Sequence, residues 1–257
     1  NLHAALRFIS DAECKQYISG AQMPEEALHN WTIVHVSESI PDIDHAEIYE
    51  AHQQVPTVKA KDDFLMRITT DVNRIGFDPS TTQGKSEILK DFITYWIVCE
   101  GIFFFSGFAM LLSLGRQNKM QGLVDQIKYT LRDETNHIAG GVYMIGQIIK
   151  QNPELWTEEI KIEITEYIKE AVKLEIEYAH DVLPSGILGL NAEMFIDYMH
   201  FIGNRRLESI GLDYRFPSDN NPFPWLGEQV DVQPIGNFFE RKVREYRNAG
   251  ALEEEDW

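Results

Sequence analysis

Glu100 is the only charged residue between Phe92 and Gly115, a 24-residue run that reads FITYWIVCEGIFFFSGFAMLLSLG. A carboxylate stranded in such surroundings costs several kcal/mol unless something pairs with it. On a helix it shares a stripe with Ile93, Trp96, Ile97, Phe103, Phe104, Phe108 and Leu111, which directs it into a core. A membrane span is a poor alternative. The apolar stretches flanking Glu100 are too short to cross alone, a central carboxylate costs roughly 2.5 to 3.5 kcal/mol on insertion scales, and the mean hydropathy of the chain is negative. A core Glu answered only by an Arg or a Tyr is the plainer alternative.

Two segments supply better partners. Arg132-Asp133-Glu134-Thr135-Asn136-His137 holds an E-x-x-H pattern in the next long helical stretch, and Glu26-Ala27-Leu28-His29 repeats it upstream. The spacing sets a carboxylate and an imidazole one turn apart on one helical face, where both reach a single ion. Alone the pattern is weak, and Glu177-Tyr178-Ala179-His180 also fits it. The stripes separate the three. Glu177 and His180 share theirs with Glu170 and Lys173, a solvated face, whereas Glu134 aligns with Ile127, Leu131, Ile138 and Gly141, and Glu26 with Met23, Ile33, Val36 and Ile40. A lone inward His is more often a hydrogen-bonded core residue than a ligand. Three inward carboxylates with two inward imidazoles point instead to two metal ions in a helical bundle.

The 257 residues suffice for one large domain, and 44% hydrophobic content supplies its core. With 41 acidic against 23 basic residues, the net charge of −18 argues against nucleic acid or an anionic membrane as the main partner. Cys14 and Cys99 form no C-x-x-C pattern, so neither zinc nor a disulfide scaffold is expected, and a reducing cytoplasm suits them. No signal peptide opens the chain, which begins at Asn1 without a Met.

Helical periodicity dominates throughout. It predicts helices at about 11–20, 23–39, 43–54, 58–75, 86–115, 118–151, 154–182, 191–211 and 235–247. Pro217, Pro222, Pro224 and Pro234 forbid a helix across Phe216 to Pro234, which reads as an ordered surface strap. The expected architecture is an all-α, ferritin-like bundle with a dinuclear metal site, one domain over residues 1–257 in which 216–257 form a strap, a helix and an acidic tail.

Glu100-Gly101-Ile102-Phe103-Phe104, followed 34 positions later by the Glu134 motif, resembles the small, radical-generating subunit of class I ribonucleotide reductase. Glu25-Glu26-Ala27-Leu28-His29, Gly186 to Asn191, Asn204 to Glu208, Asn221 to Trp225 and Asn237 to Glu240 extend the resemblance over almost the whole chain. It implies that Glu26, His29, Glu100, Glu134 and His137 are metal ligands and that Asp133 lies on the path carrying the radical out. Phe104 and Phe108 would line an apolar pocket beside the metals. The family's first carboxylate ligand would fall before Asn1. The position four residues after the first ligand His, where the family usually stores its radical on a tyrosine, is Ile33, which resembles the tyrosine-independent subclasses whose manganese-iron or dimanganese cluster holds the oxidising equivalent. Tyr95 and Tyr129, each five residues before a ligand Glu, are redox candidates, although buried structural tyrosines are the plainer reading.

The resemblance further implies a homodimer and a separate large catalytic subunit. The acidic run Ala251 to Trp257 would dock on that subunit, with Tyr246 as a relay just upstream. Two other readings use the same bundle: an oxidase or hydroxylase acting on a bound organic substrate, and a ferritin-type metal store. The helices from Asn191 onward have no role in a storage shell, and the strap and acidic tail have none in an oxidase.

Overall fold

The computed structural model of the chain describes residues 2–226 apart from 42–43 and 187–188. The expected helix at 235–247, Tyr246 and the acidic tail lie outside the described residues.

The described residues form α1 (Leu2–Phe8), α2 (Ala12–Tyr17), α3 (Met23–Glu38), α4 (His45–Gln54), α5 (Pro56–Ile68), α6 (Thr82–Ile93), α7 (Phe105–Gly115), α8 (Gln121–Gln151), α9 (Glu158–Val182) and α10 (Ala192–Ser209). Two π-helical segments, Ile18–Gln22 and Thr94–Phe103, join α2 to α3 and α6 to α7. Starts follow capping chemistry: the side chains of Asp11, Asp44, Thr81, Thr157 and Asn191 each accept a backbone N–H from the first turn of the helix they precede.

Three boundaries differ from the sequence expectation. The expectation ended one helix at 20 and began the next at 23, yet Gln22 and Met23 are both right-handed helical and the chain runs on through Pro24. A proline lacks the N–H that an α ladder needs, and the π turn just before it opens the ladder at that point, so the helix survives. The helix expected to reach 75 stops at Ile68, where the Asp91 carboxylate takes the Thr70 N–H at 2.8 Å. The helix α1 was not anticipated.

The helix from Thr82 to Gly115 runs through the middle of the molecule. Its most apolar window is hydrophobic enough to cross a membrane, but 67% of that window is buried, as a core helix requires. Its π segment touches α5, α8, α9 and α10, and α8 in turn packs on α3, α6 and α7. Ile93, Ile97, Val98, Ile102 and Phe105 are fully buried. Each such side chain contributes about 1.5–3 kcal/mol, so together they outweigh the cost of carrying Glu100 inside. Glycine allows the closest approach: a Cβ at Gly141 on α8 would lie 2.2 Å from Trp96 Cγ. At the far side, the buried Arg206 of α10 donates from Nε to the Gly101 carbonyl at 2.8 Å, satisfying an oxygen beside Glu100.

The chain beyond α10 is tied to the C-terminal end of that helix. Asn204 accepts the Phe216 N–H at 2.7 Å and donates to the Ser218 carbonyl at 3.2 Å, while Phe223 and Leu226 are buried.

Candidate metal centre

The site lies where α3, the π segment Thr94–Phe103 and α8 meet. One ligand atom from each of Glu26, Glu100, Glu134 and His137 lies within 4.8 Å of all the others. His29 adds a second imidazole from α3. Both rings turn Nδ1 toward the carboxylates. His29 Nδ1 is 3.2 Å from Glu134 Oε1 and 3.8 Å from Glu26 Oε2, and His137 Nδ1 is 3.2 Å from Glu134 Oε2 and 3.4 Å from Glu26 Oε1. Each of these carboxylates therefore spans the two imidazoles with separate oxygens, the arrangement that bridges two cations.

The outer nitrogens are also held. His29 Nε2 lies 3.2 Å from Asp133 Oδ2, and His137 Nε2 lies 2.9 Å from Glu25 Oε2. A carboxylate behind an imidazole fixes its tautomer and raises its basicity as a ligand. Five buried side-chain atoms among the described residues lack a hydrogen-bond partner, and two of them, His29 Nδ1 and Glu100 Oε2, belong to this cluster. Buried polar atoms are rarely left so, and a cation between them would satisfy both. Carboxylate oxygens and imidazole nitrogens fit that role.

Electrostatics reinforce the point. Burial alone would lower the pKa of His29, but Asp133, Glu134 and Glu26 overturn it and raise it to about 11. His137 likewise rises to about 10 against its own burial, through Glu134, Glu26 and Glu25. Burial and the neighbouring Glu134 charge push Glu100 up to about 9. Burial opposes it, but Glu26 is held well below the ordinary carboxylate range by its contacts with the His137 and His29 imidazoles. The same carboxylate field that raises these groups would attract cations.

Metal binding needs neutral imidazoles and ionised carboxylates. At pH 7 one proton each must leave His29, His137 and Glu100, so full loading is expected to release about three protons per chain. Affinity should rise as pH climbs toward these values. A weakly buffered titration with an indicator dye reads the count directly, and release below one proton would remove the imidazoles from the ligand set.

Other site expectations fare differently. Phe108 is buried, but Phe104 is 38% exposed and does not share the inward face of Glu100. The reason is the π segment, which adds residues to each turn and rotates the 3.6-residue stripe before it reaches Phe104. Ile33 is 58% exposed on α3 rather than inward. Tyr129 is exposed under the Arg132 guanidinium rather than buried, whereas Tyr95 is half-buried and donates to Glu26 Oε1 at 3.3 Å. The decoy behaves as expected: Glu177 and His180 are exposed, with Lys173 3.6 Å from Glu177.

Gln22 and the roles of Glu25 and Arg206 were not foreseen. Gln22 lies four residues before Glu26, a spacing that hints at a shared face. Arg206 carries no such local signal, since its partner is 105 residues away.

Residues 1–222 match the family described as ribonucleotide reductase, small chain. The chain is 46% identical over 249 residues to the ribonucleoside-diphosphate reductase subunit beta of Chlamydia pneumoniae, covering 97% of this chain and 71% of that protein. It is 27% identical to the subunit beta of Halalkalibacterium halodurans, covering 96% and 70%. A crystal structure of a putative class I ribonucleotide reductase from Bacillus halodurans superposes with a TM-score of 0.78 at 26% identity, covering 89% of this chain and 79% of that one. The R2 subunit from Clostridium botulinum gives 0.79 at 26% identity, covering 90% and 70%. These likenesses establish the ferritin-like helical fold, and with a cluster of carboxylates and imidazoles placed between its central helices, the chain belongs to the ribonucleotide reductase small chain family.

Proposed function

We propose that this chain is the radical-generating small subunit of a class I ribonucleotide reductase, a ribonucleoside-diphosphate reductase beta subunit. It holds two metal ions through Glu26, His29, Glu100, Glu134 and His137, with a further carboxylate from outside this sequence. The observation that carries the reading is the pair Glu26 and Glu134, each of which addresses both imidazoles with separate oxygens. An oxygen-rich, nitrogen-poor ligand set favours iron or manganese over copper or zinc.

When bound, the metals supply a one-electron oxidising equivalent that starts the reduction of ribonucleotides in a separate large catalytic subunit. The residues of this chain provide the rest. Glu26 and Glu134 would hold the ions between the two imidazoles, and the burial of Trp96, Ile97 and Phe108 in the same core keeps water from its interior. Asp133 orients His29 and, only 13% exposed, stands between the site and the surface. We assign it to the exit path, with Tyr246 as a relay farther on and the tail Ala251 to Trp257 as the dock for the large subunit. Phe108 is the remaining candidate for the pocket beside the metals, with the more exposed Phe104 ring 6.2 Å from its own, while Ile33 stands exposed on α3.

We further read residues 1–257 as one ferritin-like domain, with 216–257 as strap, helix and tail, working as a homodimer in the cytoplasm. Free Cys14 and Cys99 agree with a reducing compartment. Neither nucleic acid nor membrane is a partner in this reading.

Ile33 cannot carry a stable radical, which favours a manganese-iron or dimanganese cluster over a tyrosyl store. Aerobic reconstitution with iron, manganese or both, followed by elemental analysis and nucleotide reduction with the large subunit, tests this. Electron paramagnetic resonance of the active form is expected to show a metal-centred signal or none. A narrow tyrosyl signal accompanying full activity would overturn the subclass and direct attention to Tyr95.

A further inference from the structure

We propose that Gln22 is a positioning residue for the metal centre: its amide holds one oxygen of Glu100 and aims the other, Oε2, at the metal positions. The inference rests on the two-metal reading above.

Gln22 is fully buried at the end of the π segment Ile18–Gln22. Its Nε2 donates to Glu100 Oε1 at 3.0 Å, and its own Oε1 accepts from Trp96 Nε1 at 3.2 Å. The indole N–H is a donor only, so the amide oxygen must face Trp96 and the amide NH2 must face Glu100. Nothing else about the amide is free to choose. Trp96 and Glu100 both belong to the π segment Thr94–Phe103, so the relay leaves that segment, crosses to Gln22 and returns four residues later.

The consequence is an asymmetry among the three carboxylates. Glu26 and Glu134 present both oxygens to the imidazoles, whereas Glu100 has Oε1 committed to the amide and Oε2 buried without a hydrogen-bond partner. Gln22 therefore fixes the rotation of the Glu100 carboxylate, holding Oε1 on the amide and turning Oε2 toward the site. A glutamine buried only for packing would do worse than leucine, because its amide must find partners at both ends. Here it finds both, and one of them is a candidate ligand.

The test is a double-variant cycle read as Mn(II) affinity by chelator competition, with circular dichroism confirming the fold. Gln22→Leu is expected to weaken binding by about 10- to 100-fold, the usual cost of losing a group that orients a ligand. In the Glu100→Gln background the same change should cost nothing further, since the group it orients is gone. A merely structural glutamine would weaken binding equally in both backgrounds, and that result, or no weakening in either, overturns the proposal. If Gln22→Leu does not fold, Trp96→Phe, which removes the indole N–H that fixes the amide along with part of the buried ring, is put through the same cycle, where a loss from packing alone appears equally in both backgrounds. Wild-type protein that binds no Mn(II) defeats the two-metal reading and this inference with it, whereas normal wild-type binding with additive losses defeats this inference alone.

Discussion

Glu134→Ala is expected to abolish stoichiometric metal loading, while His180→Ala leaves it intact. Both residues belong to E-x-x-H patterns, so sequence spacing does not distinguish them. Position does. Glu134 is 1% exposed, and its two oxygens stand 3.2 Å from the Nδ1 atoms of His29 and His137. Removing it deletes the carboxylate that spans the two imidazoles and leaves them facing each other, with ring centroids 5.8 Å apart. Loss of an outer group that merely orients a ligand costs about 10- to 100-fold in affinity, and loss of a shared ligand should exceed that. His180 is exposed beside Glu177, which already has Lys173 as a neighbour. Elemental analysis of both variants after identical reconstitution decides the matter. Normal metal content in Glu134→Ala, or its loss in His180→Ala, would mean the wrong motif has been assigned.

The second large effect lies away from the metals. Glu175 on α9 is fully buried, and it accepts Lys61 Nζ at 2.7 Å on one oxygen and the Ser106 hydroxyl on the other. The ammonium also sits 4.1 Å from the Tyr178 ring centroid. Lys61→Met leaves that carboxylate buried without its cation and is expected to destabilise the protein by about 3–5 kcal/mol. Adding Glu175→Leu to the same chain should recover most of the loss, because removing both charges takes away the desolvation penalty with the attraction.

The pH dependence has a definite sign. Burial raises Glu175 above its ordinary value of 4.5, with Lys61 and Ser106 opposing the rise. Well below that value the carboxyl is protonated in folded and unfolded chains alike, so the deficit of Lys61→Met is small. It grows as pH rises and the unfolded chain releases the proton that the folded one retains. Denaturant unfolding of the single and double variants across this range provides the measurement. A single variant as stable as the double one at neutral pH would show that Lys61 contributes nothing to holding Glu175 in the core.

Local chemistry made much of this molecule legible. Glu100 in an apolar run, two inward E-x-x-H motifs and an outward decoy are periodicity arguments, and periodicity within one helix depends only on neighbours a few residues apart. The starts of α9 and α10 likewise follow from Thr157 and Asn191 as caps. Where the backbone departs from 3.6 residues per turn, the same arguments fail. Phe104 and the supposed break before α3 were misjudged because π segments at Thr94–Phe103 and Ile18–Gln22 add residues to the turn, and nothing in the local composition marks them.

Tertiary structure alone decided the rest, and the reason is sequence separation. Gln22 meets Glu100 across 78 residues, His29 meets Asp133 across 104, Arg206 meets Gly101 across 105 and Lys61 meets Glu175 across 114. The amino-acid order determined which side chains must avoid water and which charges would then need partners. Which atom of each carboxylate faces which partner was decided only when packed helices brought distant segments within hydrogen-bond range, because that choice depends on directions and distances that no spacing along one helix encodes.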